Sequence, residues 1–187
     1  MEVNQACYMI IEELSRTIDS AEMTRTPEVV SAITQAARVF VAGAGRSGLM
    51  MRSFAMRLMQ IGVEAYVVGE TTTPDIHKGD LLMIGSGSGS TGGPVSYANI
   101  ARHAGIRVVA ITAARESPLT ELADLIIRLP APTPKVHEAN APPPSVQPLG
   151  TLFEQTLLIY LDALIILLMK EMNVAVETLL RRHTTLE

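Results

Sequence analysis

What most constrains this chain is a rhythm of short, unbroken apolar runs, each closed by a glycine or a polar loop and separated from the next by a helical stretch. Val39, Phe40, Val41 and Ala42 run into Gly43, and the pattern returns over residues 64–68, 80–84, 107–111 and 125–129. Runs that are apolar at successive positions belong to strands buried on both faces, and helical segments between them make the crossovers of a parallel sheet. Within that series the periodicity predicts helices over residues 46–62 and 92–104. Further helices are expected over 4–18 and 27–37 before it, where Pro27 suits a first turn, and over 150–172 and 174–182 after it.

A length of 187 residues suits one domain with one core. With 48% hydrophobic and 18% charged residues, the chain is less charged than the roughly 25% usual for a soluble domain, so part of its surface is expected to be covered in an oligomer. A net charge of -4 offers no broad footprint for a nucleic-acid backbone. Cys7 is the sole cysteine, which excludes an internal disulfide and any CxxC arrangement. The first eight residues carry an acid and no Lys or Arg, so a basic secretory start is absent and a cytoplasmic location is expected. The most apolar stretch, residues 157–169, is broken by Asp162 and reads as a buried helix, with no membrane partner. Seven of the eleven prolines lie between Pro130 and Pro148, which rules out a regular helix or central strand there. An ordered crossing loop before the long helix is expected, not a domain boundary.

Two loops at strand ends carry chemistry. Gly43-Ala44-Gly45-Arg46-Ser47-Gly48 lets the backbone turn tightly and approach an anion at a helix start. Its glycines at 43, 45 and 48 resemble the G-x-G-x-x-G spacing of a dinucleotide loop, a weak signal by itself, and it lacks the GKS or GKT of a P-loop. A plain tight turn and an anion contact both remain open for it. Ser86-Gly87-Ser88-Gly89-Ser90-Thr91-Gly92 is the more telling loop: hydroxyl donors alternate with glycines whose N–H groups can converge on one small space, as a phosphate monoester requires. Both loops leave the carboxyl ends of parallel strands, where ligands bind in open α/β sheets.

Glu154 falls one turn into the long helix among Leu152, Phe153, Leu157 and Leu158. Apolar surroundings suit it to taking a carbon-bound proton, while its place near a helix N-terminus gives it an equally good structural role. Asp162 lies about 12 Å farther along the helix axis, too far for a catalytic pair. His77, His103, His137 and His183 show no metal-ligand spacing. Arg46, beside the first loop, suits a phosphate or a developing oxyanion, with an ordinary salt bridge as the alternative.

These residues resemble the sugar isomerase (SIS) family of phosphosugar-binding α/β domains, through the Gly43–Ser47 loop and the Ser86–Thr91 loop. Within that family the chain is similar over nearly its whole length to the phosphohexulose isomerases. That similarity rests on the segment from Val41 to Gly48, on Val68-Gly69-Glu70-Thr71-Thr72-Thr73-Pro74, on Pro148-Leu149-Gly150-Thr151-Leu152-Phe153-Glu154, and on the ending from Arg182-His183 to Leu186-Glu187. The resemblance implies a three-layer αβα sandwich with a central five-stranded parallel sheet of SIS type, with N- and C-terminal helices, as a single domain over residues 1–187. It implies that Ser47, Ser86, Ser88 and Thr91 bind a sugar phosphate, with backbone groups of Gly87 and Gly89 completing the nest. Glu154 matches the proton-transferring carboxylate, and His183 a histidine that reaches an active site across subunits of a homotetramer built from dimers.

Gly87 and Ser90 stand where many related sugar isomerases have Gln and Glu, which argues against a glucosamine-type reaction. The implied reaction interconverts D-arabino-3-hexulose 6-phosphate and fructose 6-phosphate through a 2,3-enediol or enediolate. It involves no net oxidation, so no nicotinamide, metal or other cofactor is expected. The rival readings are another phosphosugar aldose–ketose isomerase and a phosphosugar-sensing domain without catalysis.

Overall fold

Each expected apolar run becomes a strand, and every pairing between strands is parallel. The structure is a computed structural model and describes residues 1–133 and 144–183. In chain order the elements are α1 (Val3–Asp19), α2 (Thr26–Gln35), β1 (Val39–Gly43), α3 (Gly45–Ile61), β2 (Ala65–Val67), β3 (Leu81–Gly85), α4 (Gly92–His103), β4 (Arg107–Thr112), α5 (Pro118–Leu122), β5 (Leu125–Arg128), α6 (Thr151–Glu171) and α7 (Val176–Arg181). The five described strands form one sheet in the order β2-β1-β3-β4-β5.

The sheet is buried on both sides, which is why its strands are apolar at successive positions. Val39, Val41, Leu81, Met83, Val109, Ile111, Leu125 and Ile127 face α2, α3 and α6. Phe40, Ala42, Leu82, Ile84, Val108 and Ala110 face α4 and α5. The alternation is that of the pleat, with adjacent residues entering different cores. Phe54 of α3 is 2% exposed in the first core, so its truncation to Ala would cost about 3–5 kcal/mol.

Helix α6 is long and apolar enough to cross a membrane by length and composition alone. Here Leu157, Leu161, Leu164 and Leu168 are fully buried in the first core and Asp162 is exposed. A stripe packed on the sheet makes it a core helix, as its sequence leads one to expect.

Two elements differ from expectation. Strand β2 is shorter than residues 64–68, as befits a half-buried edge strand with one partner. Helix α5 is absent from the sequence reading, although Ser117 before Pro118 is a recognisable start: Thr120 N–H donates to Ser117 Oγ, and proline sits at the first helical position. Of the proline-rich segment, residues 130–133 and 144–148 are described and lead into α6. Residues 134–143, with His137, Pro142 and Pro143, lie outside the described residues.

Candidate active site

Strands β1 and β3 lie side by side, but their outgoing connections part company. Helix α3 carries the chain from β1 to β2 on one side, and α4 carries it from β3 to β4 on the other. Such a divergence opens a crevice at the carboxyl ends of the strands, and both candidate loops border it.

The third glycine of the first loop has a physical reason. A Cβ on Gly43 would lie 2.9 Å from the Gly48 Cα, and one on Gly48 would lie 2.8 Å from the Gly43 carbonyl oxygen. The start of α3 therefore rests directly on the end of β1. That contact holds Ser47, 9% exposed, at the mouth of the crevice.

The second loop is fastened from behind. The carbonyls of Ser86, Gly87 and Gly89 accept N–H groups from Gly89, Ala113 and Leu119 at 3.1, 3.0 and 3.0 Å. Ser90 donates through its hydroxyl to Ser88 Oγ at 3.1 Å. Thr91 is the N-cap of α4 without spending its side chain on the cap, so its hydroxyl and the first N–H groups of that helix remain available to an anion.

The two loops and the start of α6 enclose a cavity of about 370 Å3, within the range of small-molecule sites. Ser47, Gly87, Ser88 and Thr91 from the two loops line it together with Thr133 and with Leu149, Gly150, Phe153 and Glu154 from the start of α6. Size does not single it out, since a larger cleft of about 670 Å3 opens beside α2 and the end of α6. The chemistry does: here hydroxyls and a helix start face a carboxylate. Glu154 is 16% exposed and accepts a hydrogen bond from Arg46 Nε, whose side chain is 58% exposed.

Of the residues expected to bind phosphosugar, Ser47, Gly87, Ser88 and Thr91 come together on the cavity wall. Ser86 is 4% exposed and ties the loop to β4 through its N–H on the Ile111 carbonyl. Gly89 stands behind the wall against Ser117 Oγ. Arg46 reaches Glu154, the salt-bridge alternative of the sequence reading. His183 is not brought to the cavity of its own chain: the preceding Arg182 packs on Gly62, at the end of α3 remote from Ser47.

Sequence reasoning missed Phe153, Thr133 and Leu149. A Cβ on residue 87 would lie 3.0 Å from the Phe153 ring and 3.2 Å from Thr133 Cγ2, so these side chains fill the space beside Gly87. Thr133 Oγ1 is buried without a hydrogen-bond partner. No local signal marks Thr133, whereas Phe153 is named by its position next to Glu154. Among the described residues no three His, Cys, Asp or Glu side chains gather as metal ligands would.

Residues 32–160 match the SIS domain family, and the chain belongs to it. Its relatives narrow the comparison. The 3-hexulose-6-phosphate isomerase of Bacillus subtilis is 41% identical over 187 residues, the whole of both chains. That of Mycobacterium gastri is 41% identical over 186 residues, covering 100% of this chain and 92% of the relative. A hypothetical protein from Methanococcus jannaschii, whose crystal structure is described as inferring a 3-hexulose-6-phosphate isomerase function, superposes with a TM-score of 0.82 at 32% identity, covering 98% of this chain and 99% of that one. These comparisons and the parallel sheet flanked by helices establish the SIS-type three-layer α/β fold.

Proposed function

We propose that the protein is a 3-hexulose-6-phosphate isomerase, interconverting D-arabino-3-hexulose 6-phosphate and fructose 6-phosphate. The observation that carries this reading is the placing of Glu154 in one cavity with Ser47, Ser88 and Thr91. The hydroxyls, the backbone around Gly87 and Gly89 and the start of α4 hold the phosphate. Glu154 then faces the carbon chain that extends from it. The full-length likeness to the isomerases of Bacillus subtilis and Mycobacterium gastri supports the choice of substrate.

Glu154 takes the proton from C2 while negative charge develops on the C3 oxygen, giving a 2,3-enediol or enediolate. Returning the proton to C3 leaves the carbonyl at C2, with no net oxidation. A positioned carboxylate contributes about 10²–10⁴-fold to such a step. Arg46, exposed and paired with Glu154, shifts onto the developing oxyanion. His183 redistributes the oxygen protons from a neighbouring subunit.

Exposed apolar side chains support a homotetramer built from dimers. They gather on α1 (Val3, Tyr8, Ile11), α3 (Leu49, Met56, Met59) and α6 (Ile159, Ile166, Leu167). The chain acts as one domain over residues 1–187, in the cytoplasm, on a small sugar phosphate.

The test is to incubate the purified protein with D-arabino-3-hexulose 6-phosphate, without added metal or nicotinamide, and to measure fructose 6-phosphate directly. Formation that collapses in Glu154→Gln supports both reaction and base. Turnover of an aldose phosphate instead makes it another phosphosugar isomerase, and binding without any turnover makes it a sensor.

A further inference from the structure

One buried carboxylate has no part in the chemistry above. Glu13 lies on α1, outside the residues that match the SIS domain, and is 9% exposed. Its Oε1 accepts the Val146 N–H at 2.9 Å, and its Oε2 accepts the Ser145 hydroxyl at 2.8 Å and the Gln147 side-chain N–H at 3.1 Å. Among the described residues no cation stands within ion-pair distance of it, and the nearby Arg16 pairs with Glu12 at 3.9 Å. A buried carboxylate is tolerable only when donors replace its water, and here all three donors come from one turn. Burial pushes the Glu13 carboxyl up, but the bonds from Val146, Ser145 and Gln147, together with the charge of Arg16, hold it below its ordinary value. It is therefore an anionic acceptor at neutral pH.

That turn leads straight into the cavity. Gln147 N–H donates to Ser145 Oγ at 3.0 Å, and the Pro148 carbonyl accepts from both the N–H and the hydroxyl of Thr151, at 3.2 and 2.7 Å. Between them Leu149 is held at φ 53°, a left-handed conformation costly for leucine and kept only where the surroundings over-determine it. Leu149, Gly150, Phe153 and Glu154 all line the cavity. We infer that Glu13 is a positioning residue: it clamps the Ser145–Gln147 turn and so fixes the left-handed Leu149 and the first turn of α6 that carries Glu154. The inference rests on the isomerase reading for its catalytic readout.

The experiment uses the full chain with Glu13→Ala and Glu13→Gln, below their unfolding temperatures. It reads steady-state isomerisation of D-arabino-3-hexulose 6-phosphate and amide hydrogen exchange across residues 145–154. Glu13→Ala is expected to lower kcat by roughly 10-fold or more, with KM within about 2-fold, because the phosphate nest stands on the β1 and β3 loops. Exchange should rise at residues 145–154 and stay unchanged in α3. Glu13→Gln, which keeps one acceptor oxygen, should fall between, and it carries the test if Glu13→Ala does not fold. Unchanged kcat or unchanged exchange in a folded variant overturns the inference. An inactive wild-type protein would instead remove the isomerase reading, and the exchange data would still decide whether Glu13 holds the turn.

Discussion

Arg38 and Arg46 flank β1, one residue before it and three after it, and each holds a carboxylate, yet the two pairs are built differently. At the amino ends of the strands, Asp80 is 2% exposed and Arg38 19%. Asp80 accepts two bonds from Arg38, at 3.1 and 2.6 Å, and the His77 N–H at 2.8 Å. Arg38 also donates to the Asp75 carbonyl and lies 5.2 Å over the Phe40 ring. Three donors engage both oxygens of that carboxylate from two segments, so the pair holds in place. At the carboxyl ends, Arg46 is mostly exposed and touches Glu154 through one described bond, and the rest of Glu154 faces a cavity. A pair with one contact and room around it can exchange partners. The difference shows what separates a closed ion pair from an open one: the number of donors and the space beside them, rather than the residue types.

Breaking the open pair should have the largest effect. Glu154→Gln is expected to lower isomerase turnover by about 10²–10⁴-fold, with the thermal midpoint nearly unchanged, as activity assays and calorimetry on one preparation would show. Breaking the closed pair should do the reverse. Asp80→Asn leaves Arg38 without its counter-charge and should lower Tm by roughly 5–10 °C while the folded enzyme keeps its kcat; a large loss of kcat would mean that the two ends are coupled. A smaller effect is expected from Ser88→Ala, which removes one hydroxyl from the open end: KM should rise about 5- to 10-fold, and unchanged KM would take Ser88 out of the phosphate site.

The smallest effect concerns acid. Burial pushes the Asp80 carboxyl up, but the Arg38 guanidinium, the His77 N–H and the charges of Arg38 and His77 hold it below the usual carboxylate range. A depressed folded value means that its stabilisation is complete above about pH 4 and is lost as pH falls through the folded value. Urea unfolding between pH 5 and 2.5 should therefore show an acid slope that is shallower in Asp80→Asn.

Much of this was legible beforehand, and the reasons are local. The apolar runs named all five described strands, because a strand buried on both faces must be apolar at successive positions. The Ser86–Thr91 loop stood out through its alternation of hydroxyls and glycines and Glu154 as an acid in an apolar helix, and both line one cavity. What escaped was non-local. Spacing alone does not show that Gly48 rests directly on Gly43. Phe153 and Thr133 meet at Gly87 from segments that sequence spacing does not connect, and Glu13 resembled an ordinary helix-surface acid until its donors arrived from residues 145–147.

By itself, then, the sequence determined the strands and most of the helices, and it singled out two loops and an acid that the structure brings to one cavity, since these follow from periodicity, glycine placement and side-chain chemistry over a few residues. Only the tertiary structure decided that β1 and β3 are neighbours whose connections diverge, that Arg46 meets a carboxylate 108 positions away, and that α1 secures the turn before α6. Those are contacts between distant segments, and they exist only after the cores on both faces of the sheet have closed and chosen which chain ends meet.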